Sequence, residues 1–325
     1  MIKLDDGRRL PAAHVNWTAP AAAGRVRSGA GVDVRRLLPP FEVVTMLHSA
    51  RAWERHHGPV DLYTDQDGYR WLTHWGLEDL YRAIDLNVLA SVDHKLYDPS
   101  TYYTLGKVFA LAASNTALTW LDTDLYLHRP IENLGGEVFV VAHREAVGNV
   151  VYPTRDRLPD PNGIVEDGWD FRRSAANTAL AYFGSAVHRD AFVRSCLAFA
   201  ARNHTPIEGY DPRPAFAEQR VSVFEAASLG VPVRCVVDTV WDPAAREWDP
   251  VPTDAAFHHT WREKKRLARN PVAARAYLQQ EVICFISRFP DDADRISRLA
   301  ERGLFDSICD AADVYSWVDQ AGALR

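Results

Sequence analysis

Apolar positions recur along the chain with two different periods, and the alternation between them sets the expected architecture. From Phe41 to His57, Val43, Val44, Leu47, Ala50 and Trp53 fall on one side of a 3.6-residue turn, and Gly58-Pro59 stops the pattern, so a helix is expected. Val60 to Asp65 alternates with period two and reads as a strand; Asp67-Gly68 then turns into a helix from Tyr69 to Trp75, closed by Gly76. Ala12 to Thr18 is a short strand, Ala83 to Leu89 an apolar strand-like segment, and Asp98-Pro99 the start of a helix to Ser114. Ala117–Leu121 and Val138–Ala142 are uninterrupted apolar runs of the kind a parallel sheet buries on both faces. Asn177–Gly184 and Val231–Val237 add strands, and helices are expected at 188–203 and 214–229. From Pro271 to Phe289, and again from Asp291 to about Val318, the period is helical. Strands alternating with helices imply an α/β sandwich with a mainly parallel sheet over residues 1–270, followed by a C-terminal helical appendage at 271–325. The Ala/Gly/Pro-rich segment before Pro40, residues 148–173 and the Pro/Trp-rich stretch 241–254 read as non-periodic loops, the second placed over a site.

Composition narrows the function classes. With 47% hydrophobic and 25% charged residues over 325 positions, the chain has the make-up of a soluble globular enzyme. A net charge of −6 argues against nucleic acid as a partner. The four cysteines have no C-x-x-C spacing, which removes a thiolate zinc site or a disulfide frame. No apolar run is long enough for a transmembrane segment and the N-terminus lacks a signal pattern, so a cytoplasmic location is expected.

The candidate chemistry centres on Leu121-Asp122-Thr123-Asp124-Leu125. Two carboxylates one residue apart follow an apolar strand, at the place where open α/β sheets bind ligands. Hard oxygen atoms there suit Mg²⁺ or Mn²⁺, ions that commonly bridge to phosphate. His258 or His259 would complete such a site for Mn²⁺, the spacing not deciding which. Lys264 and Lys265, each six residues beyond one of these histidines, are candidate diphosphate contacts. Lys107, on the helix before the aspartate-bearing strand, reads equally as a crevice cation or as a surface lysine.

These segments together resemble the GT-A-fold nucleotide-sugar glycosyltransferases. Gly106-Lys107-Val108-Phe109 through Asp122-Thr123-Asp124 to Ile131 resembles their helix, strand and Asp-x-Asp element. Asn177-Thr178-Ala179 resembles the acceptor-side Asn-Ser/Thr-Gly of the retaining, glycogenin-like and galactosyltransferase-like groups, with alanine for glycine. Glu218-Gln219 resembles their Asp-Gln pair, and His259 to Lys265 their late His…Lys element without its glycine. The resemblance covers about residues 10–270 and is that of a bacterial branch of the superfamily.

It implies a GT-A-like, Rossmann-type α/β/α sandwich and a metal-dependent glycosyltransferase that uses a nucleotide-sugar donor, UDP being the expected nucleotide, with an undefined acceptor. Trp17, Thr18 and Asp65, at the ends of early strands, would meet the base and ribose. Glu218 would be the base if the reaction inverts; Gln219 would lie near the anomeric carbon if it retains, as the likeness favours. Two other functions share part of this pattern. A nucleotidyltransferase acting on a sugar phosphate would use a Gly-rich basic loop, for which 22–29 is a faint candidate; a non-catalytic nucleotide-sugar-binding module would need no metal. The sequence has no dense cluster of carboxylates and histidines for a two-metal phosphohydrolase.

Overall fold

The main sheet grows outward from β1 (Ala12–Asn16), which pairs in parallel with β2 (Val60–Thr64) on one side and β4 (Leu118–Leu121) on the other. In the computed structural model, which describes residues 10–22, 37–114, 117–132, 134–160, 162–241, 256–261 and 263–323, β3 (Ile84–Asp85) lies outside β2. Beyond β4 the order continues through β7 (Ala175–Phe183), β6 (Phe139–Glu145) and β8 (Val233–Cys235), with β9 (Val240–Trp241) also on β6. Of these strands only β7 runs against its neighbours, so the sheet is mainly parallel, as expected. A second small sheet pairs β5 (Leu125–Leu127) antiparallel with β10 (Phe257–His259).

Helices cover both faces. Strand residues alternate between the layers: Leu121 and Leu180 face one core, Trp120 and Ala181 the other. The first core packs α1 (Pro40–His56) with α9 (Pro271–Arg288), α10 (Ala293–Glu301) and α11 (Ala311–Ala323) through Leu47, Trp53, Leu278, Phe285 and Trp317. The second packs α4 (Leu105–Ala113), α5 (Ala186–Arg202) and α7 (Val221–Ser228) through Val108, Phe192, Phe199 and Phe224. The α/β/α sandwich is therefore present, and helices 271–323 bury their apolar sides in the same core as α1.

Several boundaries differ from the periodic reading. The helix expected from Asp98 begins at Leu105: the Asp98 carboxylate accepts from Ser100 N at 2.9 Å and from the Ser100 and Thr101 hydroxyls, closing a local turn that competes with helix. The 83–89 segment is only the two-residue β3 and the single turn α3 (Asn87–Ala90), because Asp85 Oδ1 accepts from Asn87 N and Val88 N and ends the strand. β6 runs past the apolar stretch to Glu145, its pairing with β7 resuming after a register shift between Val141 and His143. The 241–254 stretch lies, from residue 242 on, outside the described residues.

Candidate functional site

Strand direction brings the chemistry to one edge of the sheet. Trp17 follows β1, Asp65 follows β2, Asp122 follows β4 and Glu145 ends β6; antiparallel β7 contributes Asn177 from its start instead of its end. A cavity of about 430 Å³ opens there, lined by Lys107, Asp122, Glu218, Gln219, His259 and Lys264 among others.

The Asp122–Asp124 turn is held from three sides. Asp122 N donates to Ala179 O on β7 at 2.7 Å, Leu125 N closes the turn on Asp122 O at 3.1 Å, and Thr260 N donates to Asp124 O at 3.0 Å. The β10–β5 register sets His259 opposite Leu125 and His258 opposite Tyr126. Successive strand residues point to opposite faces. His259 therefore turns to the cavity, its Nε2 3.7 Å from Asp124 Oδ1, while His258 stacks on Tyr126 and bonds Tyr277 OH at 2.8 Å. Of the two histidines, this geometry brings His259 beside the aspartates; His258 is turned to the core.

Asp122, Asp124 and His259 each offer a ligand atom within 4.8 Å of the others. Burial pushes the Asp124 carboxyl up, but His259 and Lys264 beside it prevail and hold it below the ordinary range, so it is ionised near neutral pH. Burial lowers the His259 imidazole despite Asp124 and Asp122. Asp124 Oδ2 is buried and ion-paired with Lys264 Nζ at 3.1 Å. Two carboxylates and an imidazole gathered this closely fit a divalent ion of the Mn²⁺ or Mg²⁺ kind.

Two lysines flank the carboxylates. Lys107 Nζ reaches Asp122 Oδ1 at 2.9 Å and Glu218 Oε1 at 2.7 Å. It gets there because Gly106 lets α4 lie against β1: a Cβ on Gly106 would come 3.1 Å from both Val15 Cγ1 and Trp17 Cβ. Lys264 Nζ, in α8 (Glu263–Arg269), is shared between Asp124 and Glu42 Oε2, the latter at 2.8 Å. Lys265, one residue on, turns out to solvent and does not line the cavity, since neighbours on a helix point about 100° apart. Of the two lysine candidates, only Lys264 is brought to the carboxylates.

Glu218 and Gln219 lie in a π-turn, Phe216–Arg220, between α6 (Arg213–Ala215) and α7. The wider turn lets both adjacent side chains line the cavity, and π-turns are frequent at functional sites. Glu218 is fully buried against Lys107 and the Thr178 hydroxyl, and burial raises its carboxyl, with Lys107 opposing. Asn177 Nδ2 donates to Glu145 Oε1 at 2.7 Å, and Tyr152 OH bonds Glu145 Oε2 at 2.5 Å and also Gln219. Periodicity does not mark Glu145, Tyr152 or Glu42. Glu145 and Glu42 are polar positions inside apolar elements, and Tyr152 follows an Asn-initiated turn in a loop, signals too common to single them out.

Trp17, Thr18 and Asp65 line a neighbouring cavity of about 640 Å³, which shares Trp17 with the first. Asp65 accepts from Thr18 N, Thr18 Oγ1, Ala19 N and Gly68 N at 2.7–3.1 Å and caps α2 (Gln66–Trp75). Its carboxylate is thereby engaged in holding the chain after β1, a different task from the expected direct contact with base or ribose. The Gly-rich candidate loop lies outside the described residues from residue 23 on. Among the described residues, no helix is long and apolar enough to cross a membrane.

No protein-family model matches the sequence, and no curated protein does. Solved structures similar to the chain include galactosyltransferase LgtC in complex with donor and acceptor sugar analogues, at 10% identity and TM-score 0.37 over 77% of this chain and 86% of that one. An active-site mutant of LgtC matches at 11% identity and TM-score 0.38 over the same shares. Mouse xyloside xylosyltransferase 1 matches at 11% identity and TM-score 0.37 over 70% of this chain and 84% of its own. Superpositions this loose carry no conclusion about activity.

Proposed function

We propose that the protein is a divalent-metal-dependent glycosyltransferase that moves a sugar from a nucleotide diphosphate-sugar, with UDP as the nucleotide, to an acceptor hydroxyl, by a retaining route. The observation that carries this reading is the convergence of Asp122, Asp124 and His259 within 4.8 Å at the wall of a cavity that Lys107 and Lys264 also line. A divalent ion held by those three residues would neutralise the diphosphate of the donor substrate. Lys107 and Lys264, now paired with Asp122, Glu218, Asp124 and Glu42, are placed to share their charge with the same phosphates and to stabilise the leaving diphosphate. The adjacent cavity beside Trp17 has the position for the nucleoside, with the Thr18 segment fixed by Asp65.

Glu218 is a poor general base: it is fully buried, paired with Lys107 and bonded to Thr178. That supports retention, with Gln219 near the anomeric carbon and the leaving phosphate taking the acceptor proton on the same face. Tyr103, Tyr210 and Trp261 are among the large apolar side chains exposed to solvent, and all three line this cavity. Aromatic rings with one wet face favour a carbohydrate acceptor that stacks its ring on them. Residues 1–270 would form the catalytic part and 271–325 a helical support for it.

The test is a thermal-shift screen of nucleotide sugars with and without Mn²⁺, followed by detection of released nucleoside diphosphate. Metal-dependent stabilisation by one donor and release of its diphosphate are expected. Release of pyrophosphate would instead identify a nucleotidyltransferase, and binding without metal or turnover a non-catalytic module.

A further inference from the structure

His14, in the middle of β1, is fully buried, and both of its ring nitrogens have partners. Nδ1 lies 3.1 Å from Tyr81 OH, and Nε2 lies 3.0 Å from Oγ of Ser49, a buried residue of α1. The Ser49 hydroxyl in turn reaches the backbone carbonyl of Asp122 at 3.3 Å. A chain of three hydrogen bonds thus runs from Tyr81 through β1 and α1 to the residue that opens the aspartate turn. Ser49, His14 and Tyr81 do not line the cavity, so their action on the site is indirect.

The carbonyl sets the direction of the chain. It can only accept, so Ser49 Oγ–H points to Asp122 O, and the Ser49 oxygen is left to accept from His14 Nε2–H. His14 Nδ1 is then the bare nitrogen and accepts from Tyr81 O–H. Each of the three protons has an acceptor. The other tautomer, with Nδ1–H on the Tyr81 oxygen, would draw the Ser49 proton to Nε2. It would set the Ser49 and Asp122 oxygens against each other at 3.3 Å and leave the Tyr81 proton without an acceptor among the described residues. Burial keeps His14 neutral, lowering its imidazole to about 3 despite the charge of Asp124.

The last bond matters because of where it lands. Asp122 N–H is held by Ala179 O of β7 at 2.7 Å. The Asp122 carbonyl also accepts from Leu125 N, but that bond lies inside the turn and moves with it. Among the described residues, Ser49 is the group that ties this carbonyl to the rest of the fold. With the peptide groups on both sides fixed, the direction of the Asp122 side chain is fixed as well. The carboxylates of Asp122 and Asp124 are drawn close together, and like charges push apart, so a turn free to rotate would let them separate. We propose that Ser49, His14 and Tyr81 are positioning residues that hold the Asp122–Asp124 turn in its metal-binding shape before an ion arrives. That role rests on the proposed function, which supplies the ion; the hydrogen-bond chain stands without it.

The experiment titrates the full chain with Mn²⁺ alone and reads the free ion by its paramagnetic resonance signal. Ser49→Ala removes the hydroxyl and is expected to raise the dissociation constant for Mn²⁺ about 10-fold. Val282→Ala, a truncation in the apolar core, lowers stability by another route and should change that constant less than about twofold. Nitrogen-15 labelling of the histidines reads the direction of the chain. The His14 signals, moved by Tyr81→Phe and lost in His14→Gln, should show a proton on Nε2 and none on Nδ1. Tyr81→Phe should shift them towards a mixture of the two tautomers and weaken Mn²⁺ binding about threefold, which gives a second reading if Ser49→Ala does not fold. A proton on Nδ1 in wild type overturns the direction of the chain and with it the hold on Asp122. Unchanged Mn²⁺ affinity in Ser49→Ala, or an equal loss in Val282→Ala, overturns the positioning role. Failure of wild type to bind Mn²⁺ overturns the proposed function, while the histidine signals still decide the chain.

Discussion

His259 Nε2 lies 3.7 Å from Asp124 Oδ1 because β10 pairs with β5, the strand that leaves the aspartate turn, and not with the main sheet. A residue from late in the chain is thus delivered to an early loop by a three-residue antiparallel pairing, and the alternation of that strand decides which of two adjacent histidines arrives.

That alternation makes a sharp prediction. Mn²⁺ should raise the melting temperature of wild type, and His259→Ala and Asp124→Asn should lose that increase while remaining folded. Transfer in both should fall at least about 100-fold. His258→Ala should keep the Mn²⁺ response but lose about 1–2 kcal/mol of stability through its contacts with Tyr126 and Tyr277. Retention of the metal response by Asp124→Asn would remove that aspartate from the ligand set. Melting curves with and without the ion decide each case.

Lys264 and Lys265 form a matched pair for a second test. Lys264→Met removes the cation beside Asp124 and should lower kcat/KM for the donor about 10- to 100-fold; Lys265→Met, at an exposed position, should change it less than about twofold. A change in Lys264→Met as small as that in Lys265→Met would mean that the ion pair to Asp124 has no part in binding or turnover. Steady-state kinetics on both variants provides the comparison.

Stability should fall with rising pH through one buried carboxyl. Burial raises Glu281 to about 7, against the partial help of Tyr126 and Arg288. The folded state therefore holds this proton more tightly than the unfolded chain, whose glutamate titrates near 4.5. The sign follows: stability from this group is full below about pH 4.5, declines as pH rises to about 7, and stays low above it. Glu281→Gln should be more stable than wild type at pH 8, by roughly 2–3 kcal/mol, with the gap closing towards pH 4.5. Urea denaturation at pH 5 and pH 8 measures it, and a gap independent of pH would contradict the assignment.

The helical segment 271–325 should not be removable. Leu278, Val282, Phe285 and Ile286 bury in the core that also holds Val44, Leu47 and Trp53 of α1. A chain ending at residue 270 exposes that face and is expected to lose its cooperative unfolding transition, as followed by circular dichroism and limited proteolysis. A stable, cooperatively folded fragment would show that 1–270 is an independent unit.

What could be read in advance follows from range. The period-two and 3.6-residue patterns depend on which face of an element is buried, so β1, β2, α1, α5 and the α/β alternation were legible from neighbouring residues alone. The polar turns at Asp98 and Asp85 were misread because side-chain-to-backbone bonds there compete with the periodic signal. The extension of β6 to Glu145 was missed because pairing with β7, not apolarity, carries it.

The sequence by itself determined the layers, the mainly parallel sheet and the presence of a carboxylate pair at a strand end, since these are written in spacing within single segments. Only the tertiary structure set His259 and not His258, and Lys264 and not Lys265, beside Asp124, and joined Glu145, Tyr152, Asn177 and Gln219 in one row. Those choices depend on β10–β5 register, on the direction of β7 and on a π-turn, which are relations between distant segments that no local period encodes.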